Sequence, residues 1–385
     1  MPCAISRAPS MATRSSTDSS MLQRLTTLRP AAAEASIDGD RSARAQLVIV
    51  ALAVLLAVVF LASLAAGASD ASMLKVAVDL LTGRAGDALS ARDRTIVLDI
   101  RLPRAVLGVL IGAALAVAGA VMQGLFRNPL ADPGLVGVSA GASLAAISVI
   151  VLGGTFLAPA TALLGSFSLP VAAFFGGLAT TLLLYGIATR RGQTSVATML
   201  LAGIALGAMA SAFSGLLIYV ADDRQLRDLT FWSLGSLAGS TWAKIVTAGP
   251  VILLGLLASP FIARGLNGLA LGEATAGHLG IPVQRVKAVA IVSVAAMVGA
   301  SVAVSGGIGF VGIVVPHLLR LLIGPDNRYL LPASALLGAS LLLAADSVAR
   351  MIVAPAELPI GIVTAAIGAP FFLWILLRRR GVLDL

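Results

Sequence analysis

The segment AVLGVLIGAALAVAGAVMQGLF, residues 105–126, decides the fold class because it carries no charged side chain along its whole length. An α-helix needs about 20 apolar residues to cross the hydrocarbon core of a bilayer, and this segment is long enough. A membrane-spanning β-strand would be shorter and would alternate polar with apolar residues, which this segment does not do. The segment therefore predicts a transmembrane helix, rich in the small residues that let such helices pack closely.

The rest of the chain repeats this pattern. Hydrophobic residues make up 58% of the 385 positions and charged residues only 12%, about half the charged share of a soluble domain. The eighth apolar segment is expected to be a short helix that ends near Arg320, because Ser305-Gly306-Gly307 indicates a break before it. We predict an all-α, polytopic membrane protein with ten transmembrane helices, at 46–67, 105–126, 134–153, 169–189, 196–220, 245–263, 286–305, 308–323, 330–349 and 359–378.

Residues 1–44 differ in composition from the membrane domain predicted at 45–385. They are rich in Ser, Ala and Arg and show no hydrophobic period, so we predict a disordered cytoplasmic tail. With this tail inside, the segments on the cytoplasmic side carry more Lys and Arg than the outside segments, as the positive-inside rule expects. Both termini are then cytoplasmic. The net charge of +9 is explained by membrane orientation, and no nucleic-acid partner is expected.

Several kinds of site are missing from the sequence. It has no GxxxxGK[ST] loop, so the chain itself is not expected to bind ATP, and no HExxH motif or acid pair, so no catalytic residue is expected. Cys3 is the single cysteine, and His278 and His317 are the only histidines, which argues against a metal site. Asp346, near a helix end, comes closest to an intramembrane acid. The chain is therefore either a passive pore or a permease powered by a partner.

A powered permease must offer its partner a cytoplasmic contact, and the longest inner loop is 264–287, RGLNGLALGEATAGHLGIPVQRVK. Its glycines would allow tight turns between two short helices, with Glu273 on a polar face and His278 at the surface. The loop could equally be an ordinary solvated connector. The residues that we assign to contact with a partner ATPase are Leu271, Gly272, Glu273, Gly277 and Gly280.

Five motifs make the chain recognisable: RLPR at 101–104, MQGLFRNPLADPG at 122–134, LALGE at 269–273, GFVGIVVPHLLR at 309–320 and ELPIG at 357–361. Together they resemble the permease family of iron-siderophore, heme and vitamin B12 ABC importers, from about residue 45 to the C-terminus. The resemblance implies a homodimer with a central pathway in the bacterial inner membrane, surrounded by membrane lipid. It also implies two ATP-binding subunits on the cytoplasmic side and a periplasmic binding protein on the other. ATP would be bound by the partner subunits.

The resemblance assigns roles to residues at matching motif positions. Arg101, Arg104 and Arg350 would stand on the outer rim and receive glutamates of the binding protein, since guanidinium groups bind carboxylates in a bidentate way. Asn128, Pro129 and Leu130 would form a turn near the cytoplasmic gate, where Asn-Pro ends a helix. His317, which follows Pro316, is interpreted as a structural residue.

The segment DDRQLRDLTFWSLGSL, residues 222–237, is most similar to the heme-importing branch of the family. The resemblance implies that heme is the transported substrate, with no permanently bound cofactor. Arg227 would pair with a heme propionate, and Tyr219, Phe231 or Trp232 would face the ring. Phe231 and Trp232 could equally be interfacial anchors. A ferric siderophore or cobalamin permease of the same family, and a passive channel, stay open as alternatives.

Overall fold

A computed structural model describes residues 41–66, 72, 73, 76, 78, 88–191, 193–353 and 356–378. Of the predicted tail, 1–44, residues 1–40 lie outside the described residues. Two helices precede the centre of the fold: α1 (Ser42–Ala65) and α2 (Ala88–Thr95), which continues as a π-helical segment, Ile96–Arg101. The later elements are α3 (Leu102–Leu125), a 3-10 helix (Pro133–Val136), α4 (Val138–Leu152), α5 (Ala158–Leu164), a 3-10 helix (Gly165–Phe167), α6 (Ser168–Ala188), β1 (Thr189–Arg190), β2 (Gln193–Thr194), α7 (Val196–Val220), α8 (Asp223–Ser233), α9 (Trp242–Ala270), α10 (Glu273–His278), α11 (Val283–Ser305), α12 (Val311–Ile323), α13 (Asn327–Met351) and α14 (Ile360–Arg378).

The helical, multi-spanning architecture predicted from the sequence is confirmed. In the described part of the chain, seven helices are long and apolar enough to cross a membrane, and three shorter apolar helices, α4, α12 and α14, accompany them. Each predicted span corresponds to one of these ten helices, with ends that agree to within a few residues. The span predicted at 245–263 is longer in the structure, because α9 continues to Ala270.

Helix α3 forms the centre of the bundle. Almost every residue from Pro103 to Leu125 is buried, and α3 packs against α9, α11, α12 and α13. Backbone contacts explain the close approach: a Cβ atom on Gly112 would overlap Gly338, and one on Gly119 would overlap Gly312. Small residues at such crossings let helices approach closely enough for extensive van der Waals contact, which drives helix association in lipid.

The predicted break between the seventh and eighth spans is also present. Helix α11 ends at Ser305, Gly306 has a positive φ of 71°, and α12 begins only at Val311. The first turn of α12 lies deep in the bundle, because Gly312 contacts α3 halfway along its length. Pro133, the first residue of the 3-10 helix, also packs beside Gly312, so two helix starts meet inside the protein, where surrounding helices keep their backbone away from lipid.

The long helices define two ends of the bundle. We call the end that contains Arg104, Lys244 and Arg350 the Arg104 end; α3 and α9 begin there and α1, α11 and α13 end there. The opposite end, with Glu273, is the Glu273 end. It contains a short antiparallel hairpin, β1–β2, which the sequence analysis did not predict.

Candidate functional site

The Arg104 end is held together by a network of charged side chains. Arg104, in the first turn of α3, donates from Nε and NH2 to the carboxylate of Asp346 on α13, at 2.9–3.1 Å. Its NH1 also donates to both carboxylate oxygens of Glu357, at 2.9 Å. Arg350 lies one turn beyond Asp346 and forms an ion pair with it at 3.1 Å. Asp346 thus joins the start of α3 to the end of α13.

Arg101 and Arg350 also make contacts to the C-terminal end of α1. Arg101 donates to the carbonyl groups of Leu64 and Ala65, at 2.9 and 3.1 Å. Arg350 donates to the carbonyl groups of Ser63 and Ala66, at 3.2 and 3.1 Å. The last carbonyls of a helix have no intrahelical partners and carry partial negative charge, so cationic side chains stabilise this end of α1.

The three arginines proposed for docking are therefore brought together, as expected, but they do not stand on an exposed rim. Arg101 is 4% exposed, and Arg104 and Arg350 are each 7% exposed. Their two intramolecular partners, Asp346 and Glu357, were not predicted from the sequence. The spacing of Asp346 and Arg350, four residues apart on one helix face, could have indicated the first, and the ELPIG motif contains the second, Glu357.

At the Glu273 end, two glycines enclose the short helix α10. Gly272 and Gly280 have positive φ angles of 105° and 79°, which L-residues with side chains rarely adopt, so the predicted tight turns are present at these positions. Gly277 lies inside α10, and Leu271 is exposed. Only one of the two short helices expected in 264–287 is separate, because its first part is the continuous end of α9.

Lys287 connects α10 to the rest of the protein. Lys287 is only 1% exposed. Its ammonium group lies 2.7 Å from a carboxylate oxygen of Glu273 and donates to the carbonyl of Thr194 at 2.6 Å. The backbone N–H of Thr194 in turn donates to Gln284 at 2.9 Å. One buried lysine on α11 therefore ties together α10 and the β-hairpin. Lys287 was not predicted as a site residue, because nothing in the local sequence shows that it is buried.

A wide cavity of about 1250 Å³ opens between the hairpin and α10. Glu273 and Gly277 line one side, and Arg190 and Gln193 of the hairpin line the other. Its mixed polar and apolar walls, together with the exposed Leu271 beside it, form a surface that can receive part of another protein.

A polar contact links the end of α9 to α13. Asn267 donates to Asp326 at 2.7 Å and accepts from the backbone and side chain of Asn327, at 2.9 and 2.8 Å. Burial acts to raise the pKa of Asp326, but hydrogen bonds from Arg328, from its own helix start and from Asn267 outweigh it, so the pKa lies below its ordinary value. Asp326 is thus held as a carboxylate at the start of α13.

The turn proposed as the gate follows the end of α3 at the Glu273 end. Asn128, Pro129 and Leu130 are exposed, and the side chain of Asn128 accepts from the backbone N–H of Leu130 at 2.9 Å. Asp132, just beyond, lies in the loop that folds back into the bundle. Its pKa is raised by burial, which a hydrogen bond from Gly134 only partly offsets.

The residues proposed for the substrate pathway separate into two groups. Helix α8 begins with a capping box, in which the side chains of Asp222 and Gln225 each bond the backbone of the other. Arg227 and Tyr219 are exposed. Phe231 and Trp232 instead line a separate cavity of about 430 Å³, which also contains Lys244. His317 is buried in α12, and His278 is exposed on α10.

Comparison with known proteins identifies relatives of the whole membrane domain. A model of the FecCD transport family matches residues 55–378. The hemin transport system permease protein HmuU of Yersinia pestis is 49% identical over 283 residues, which cover 74% of this chain and 83% of that protein. The cobalamin import system permease protein BtuC of Halobacterium salinarum is 44% identical over 287 residues, 74% of each chain.

Two further matches extend over more of the chain. The vitamin B12 import system permease protein BtuC of Shigella boydii is 43% identical over 335 residues, which cover 86% of this chain and 95% of that protein. A solved structure of a metal-chelate type ABC transporter in an inward-facing conformation has a TM-score of 0.74 and 31% identity. It covers 86% of this chain and 99% of its own, so the arrangement of helices is shared almost throughout.

Proposed function

Because the chain belongs to the FecCD transport family, we propose that it is the permease subunit of a bacterial ATP-driven importer and that its substrate is heme. The family membership itself makes the chain a membrane permease of an ABC importer. The observation that supports heme is the 49% identity to a hemin permease, against 43–46% for the cobalamin and vitamin B12 permeases. The heme-like segment at 222–237 agrees with this order.

In the proposed assembly, two copies of the chain lie side by side in the inner membrane and enclose the pathway. Two ATP-binding subunits contact the Glu273 end in the cytoplasm, and a periplasmic heme-binding protein docks at the Arg104 end. Both termini are then cytoplasmic. Support for this orientation comes from the excess of Lys and Arg in the segments at the Glu273 end.

Coupling to ATP hydrolysis is assigned to Leu271, Gly272, Glu273, Gly277 and Gly280. The cavity of about 1250 Å³ beside α10 supports this role, because it offers a recess for a partner's surface next to an exposed apolar residue, Leu271. The Lys287 contacts fix the position of α10 relative to α11 and the hairpin. A displacement of α10 by a partner would therefore reach both elements directly.

Docking of the binding protein is assigned to Arg101, Arg104 and Arg350. Since these side chains are buried and paired within the chain, an incoming carboxylate reaches Arg104 by taking the place of the half-exposed Glu357. A charge reversal at Arg104 would place a third carboxylate beside Asp346 and Glu357 and would disrupt the fold. Glu357 is therefore the residue at which the docking role can be tested without loss of the bundle.

At the cytoplasmic end of the pathway, the gate is formed by Asn128, Pro129 and Leu130. At the opposite end, the entrance to the pathway is formed by Arg227 and Tyr219. The exposure of all five residues supports their contact with a passing substrate or a second copy. Arg227 would pair transiently with a propionate, and a transient contact suits a pathway that must release its substrate.

The decisive experiment is transport into proteoliposomes that contain the permease, its ATP-binding subunit and its binding protein. We expect ATP-dependent uptake of heme and little uptake of a ferric siderophore or cobalamin. Uptake of cobalamin or siderophore without heme would refute the substrate and leave the importer role intact. ATP-independent flux of all three would instead support the passive channel.

Arg227 can be tested in the same system. Arg227→Ala should lower the rate of heme uptake, and Arg227→Lys should retain part of it, because lysine keeps the charge but lacks the planar fork. Arg224→Ala is the matched control, since Arg224 is exposed on the same helix. Equal rates in both alanine variants would remove Arg227 from the pathway.

A further inference from the structure

Two cavities lie next to each other among α6, α9 and α11. One has a volume of about 430 Å³ and contains Lys244; the other has a volume of about 220 Å³. Both are lined by Pro170, Ala303 and Val304, so the two cavities adjoin, and we treat them as two halves of one groove. We call it the α6–α9 groove. It is distinct from the exposed residues Arg227 and Tyr219, neither of which lines it.

The chemistry of the groove changes along its length. At the Arg104 end its walls include the ammonium-bearing Lys244 and the polar residues Ser166, Ser236 and Ser305. Farther along, the walls are almost entirely apolar and include Phe174, Phe175, Val251 and Ala300.

All three helices show this change in the same direction. On α9, Val251 lies seven residues beyond Lys244, which is about 10 Å deeper into the bundle. On α6, Phe174 lies farther from the helix start than Pro170, and on α11, Ala300 lies farther from the helix end than Ser305. The groove therefore has a polar mouth at the level of the helix ends and an apolar floor within the span.

The ammonium group of Lys244, in the wall of this groove, lacks a partner in the described part of the chain that would compensate its charge. Among the described residues, its ammonium group takes part in no hydrogen bond or ion pair, while its backbone N–H donates to the side chain of Thr241. A cation in the first turn of a helix also opposes the helix dipole, so Lys244 does not stabilise α9. The other charged residue lining the mouth, Glu357, is neutralised by Arg104 at 2.9 Å. The mouth therefore has an excess positive charge.

We propose that the α6–α9 groove binds one phospholipid, with the phosphate of its headgroup on Lys244 and an acyl chain along Phe174, Val251 and Ala300. The polar mouth and apolar floor match the two parts of such a molecule, and their order along the helices matches a lipid in its own leaflet. Trp242, half-exposed at the same level, and Phe231 and Trp232 at the mouth lie where aromatic side chains anchor proteins at the interface. The excess positive charge favours an anionic headgroup.

The proposal can be tested by native mass spectrometry of the full-length chain in detergent, titrated with phosphatidylglycerol. We expect saturable binding of one lipid, and about tenfold weaker binding by Lys244→Gln, since a charge-assisted hydrogen bond contributes a factor of this order. Arg224→Gln is the matched control, because it removes one positive charge from the same end of the bundle but lies outside the groove. Equal weakening in both variants, or in neither, would overturn the proposal.

A second variant tests the apolar half of the groove. Val251→Trp should fill the floor and lower lipid retention by a similar factor, while Lys244 stays in place. Retention equal to that of the unmodified chain would show that the acyl chain lies elsewhere and would overturn the proposal.

Two further arms identify the source of the phosphate and separate this proposal from transport. Displacement of the lipid by millimolar inorganic phosphate would reduce the groove to a simple anion site. Competitive displacement by heme would assign the groove to the transport pathway. Either result overturns the proposal, whereas insensitivity to both supports it.

Discussion

The two ends of the bundle use the same kind of contact in different ways. At the Arg104 end, Arg104, Arg350 and Asp346 are all buried, and they join α1, α3 and α13 directly. At the Glu273 end, among the described residues, one ion pair, Glu273 with Lys287, holds the six-residue helix α10 beside a wide cavity, and Lys287 also bonds the two-stranded hairpin through Thr194.

This difference indicates which end of the bundle is costly to displace and which end is not. Separation of the long helices at the Arg104 end would expose several charged groups at once. Displacement of α10 would break one ion pair, of which Glu273 is already half-exposed. Local opening is least costly where few contacts are broken, so the Glu273 end is the end that a partner can move.

The largest effect is expected from Asp346→Ala. The change leaves the guanidinium groups of Arg104 and Arg350 buried without their shared carboxylate, and loss of one member of a buried charge network costs about 3–5 kcal/mol of stability. Thermal unfolding of the detergent-solubilised chain measures this cost. Asp228→Ala, at an exposed position of α8, is the control and should change little. A loss below about 1 kcal/mol for Asp346→Ala would mean that the network does not hold the helices together.

The Glu273–Lys287 pair should respond asymmetrically. Glu273→Gln keeps an acceptor oxygen but removes the negative charge that compensates the fully buried ammonium group, so we expect a loss of about 2–3 kcal/mol. Lys287→Met leaves a half-exposed carboxylate that water can solvate, so we expect only about 1 kcal/mol. The same unfolding measurement compares them.

A second measurement tests the role of this pair in coupling. Both variants should lower substrate-stimulated ATP hydrolysis in the reconstituted complex, because both weaken the link between α10 and α11. Unaffected ATP hydrolysis in both variants would contradict a role of the pair in coupling, and greater destabilisation by Lys287→Met than by Glu273→Gln would contradict the expected asymmetry.

Glu357→Gln should have a small effect on stability and a visible effect on docking. Glu357 is half-exposed, and such ion pairs contribute about 0–1 kcal/mol. Removal of its charge weakens the competition for NH1 of Arg104, so the proposed binding protein should bind more tightly. Surface plasmon resonance with the loaded binding protein measures the change. Unaltered affinity would argue against docking through Arg104.

The smallest effect is expected from Asp326→Asn, and it depends on pH. Asparagine keeps the helix cap but loses the charge. Because the pKa of Asp326 is lowered in the folded protein, its charge stabilises the fold above the unfolded pKa of about 3.9, and this contribution is lost as the pH falls through the folded pKa. We expect a difference of less than about 1 kcal/mol at pH 7 that begins to decline only when the pH falls below the unfolded pKa of about 3.9 and vanishes below the folded pKa. A difference that already declines between pH 7 and pH 5 would contradict the assignment.

Much of the architecture could be predicted because a membrane helix is recognisable from a continuous apolar stretch of local sequence. The helix predicted at 196–220 is Val196–Val220, and the break at Gly306 lies where the sequence placed it. The hairpin at 189–194 was not predicted, because two-residue strands have no periodicity to detect. The family resemblance inferred from the motifs is confirmed by the match to residues 55–378.

The candidate sites were predictable only in part. The motifs predicted that Arg101, Arg104 and Arg350 lie at one end of the bundle. They did not predict that these side chains are buried, since Asp346 and Glu357 are more than 240 residues from Arg104 in sequence. Lys287 was missed for the same reason: its partners, Glu273 and Thr194, come from different segments. The roles of these residues in docking and coupling stay predictions.

Helices α3 and α7 separate what the sequence determined from what the tertiary structure decided. The sequence determined that both are membrane helices, because an apolar helix rich in glycine and alanine is stable in a bilayer whichever way it faces. It did not determine which one is central: 83% of the apolar window containing α3 is buried, against 17% of the window in α7. Lipid and protein interior are equally apolar, so hydrophobicity cannot distinguish a helix covered by protein from one covered by lipid. Only the close packing of Gly112 and Gly119 of α3 against the backbones of α13 and α12 places α3 at the centre.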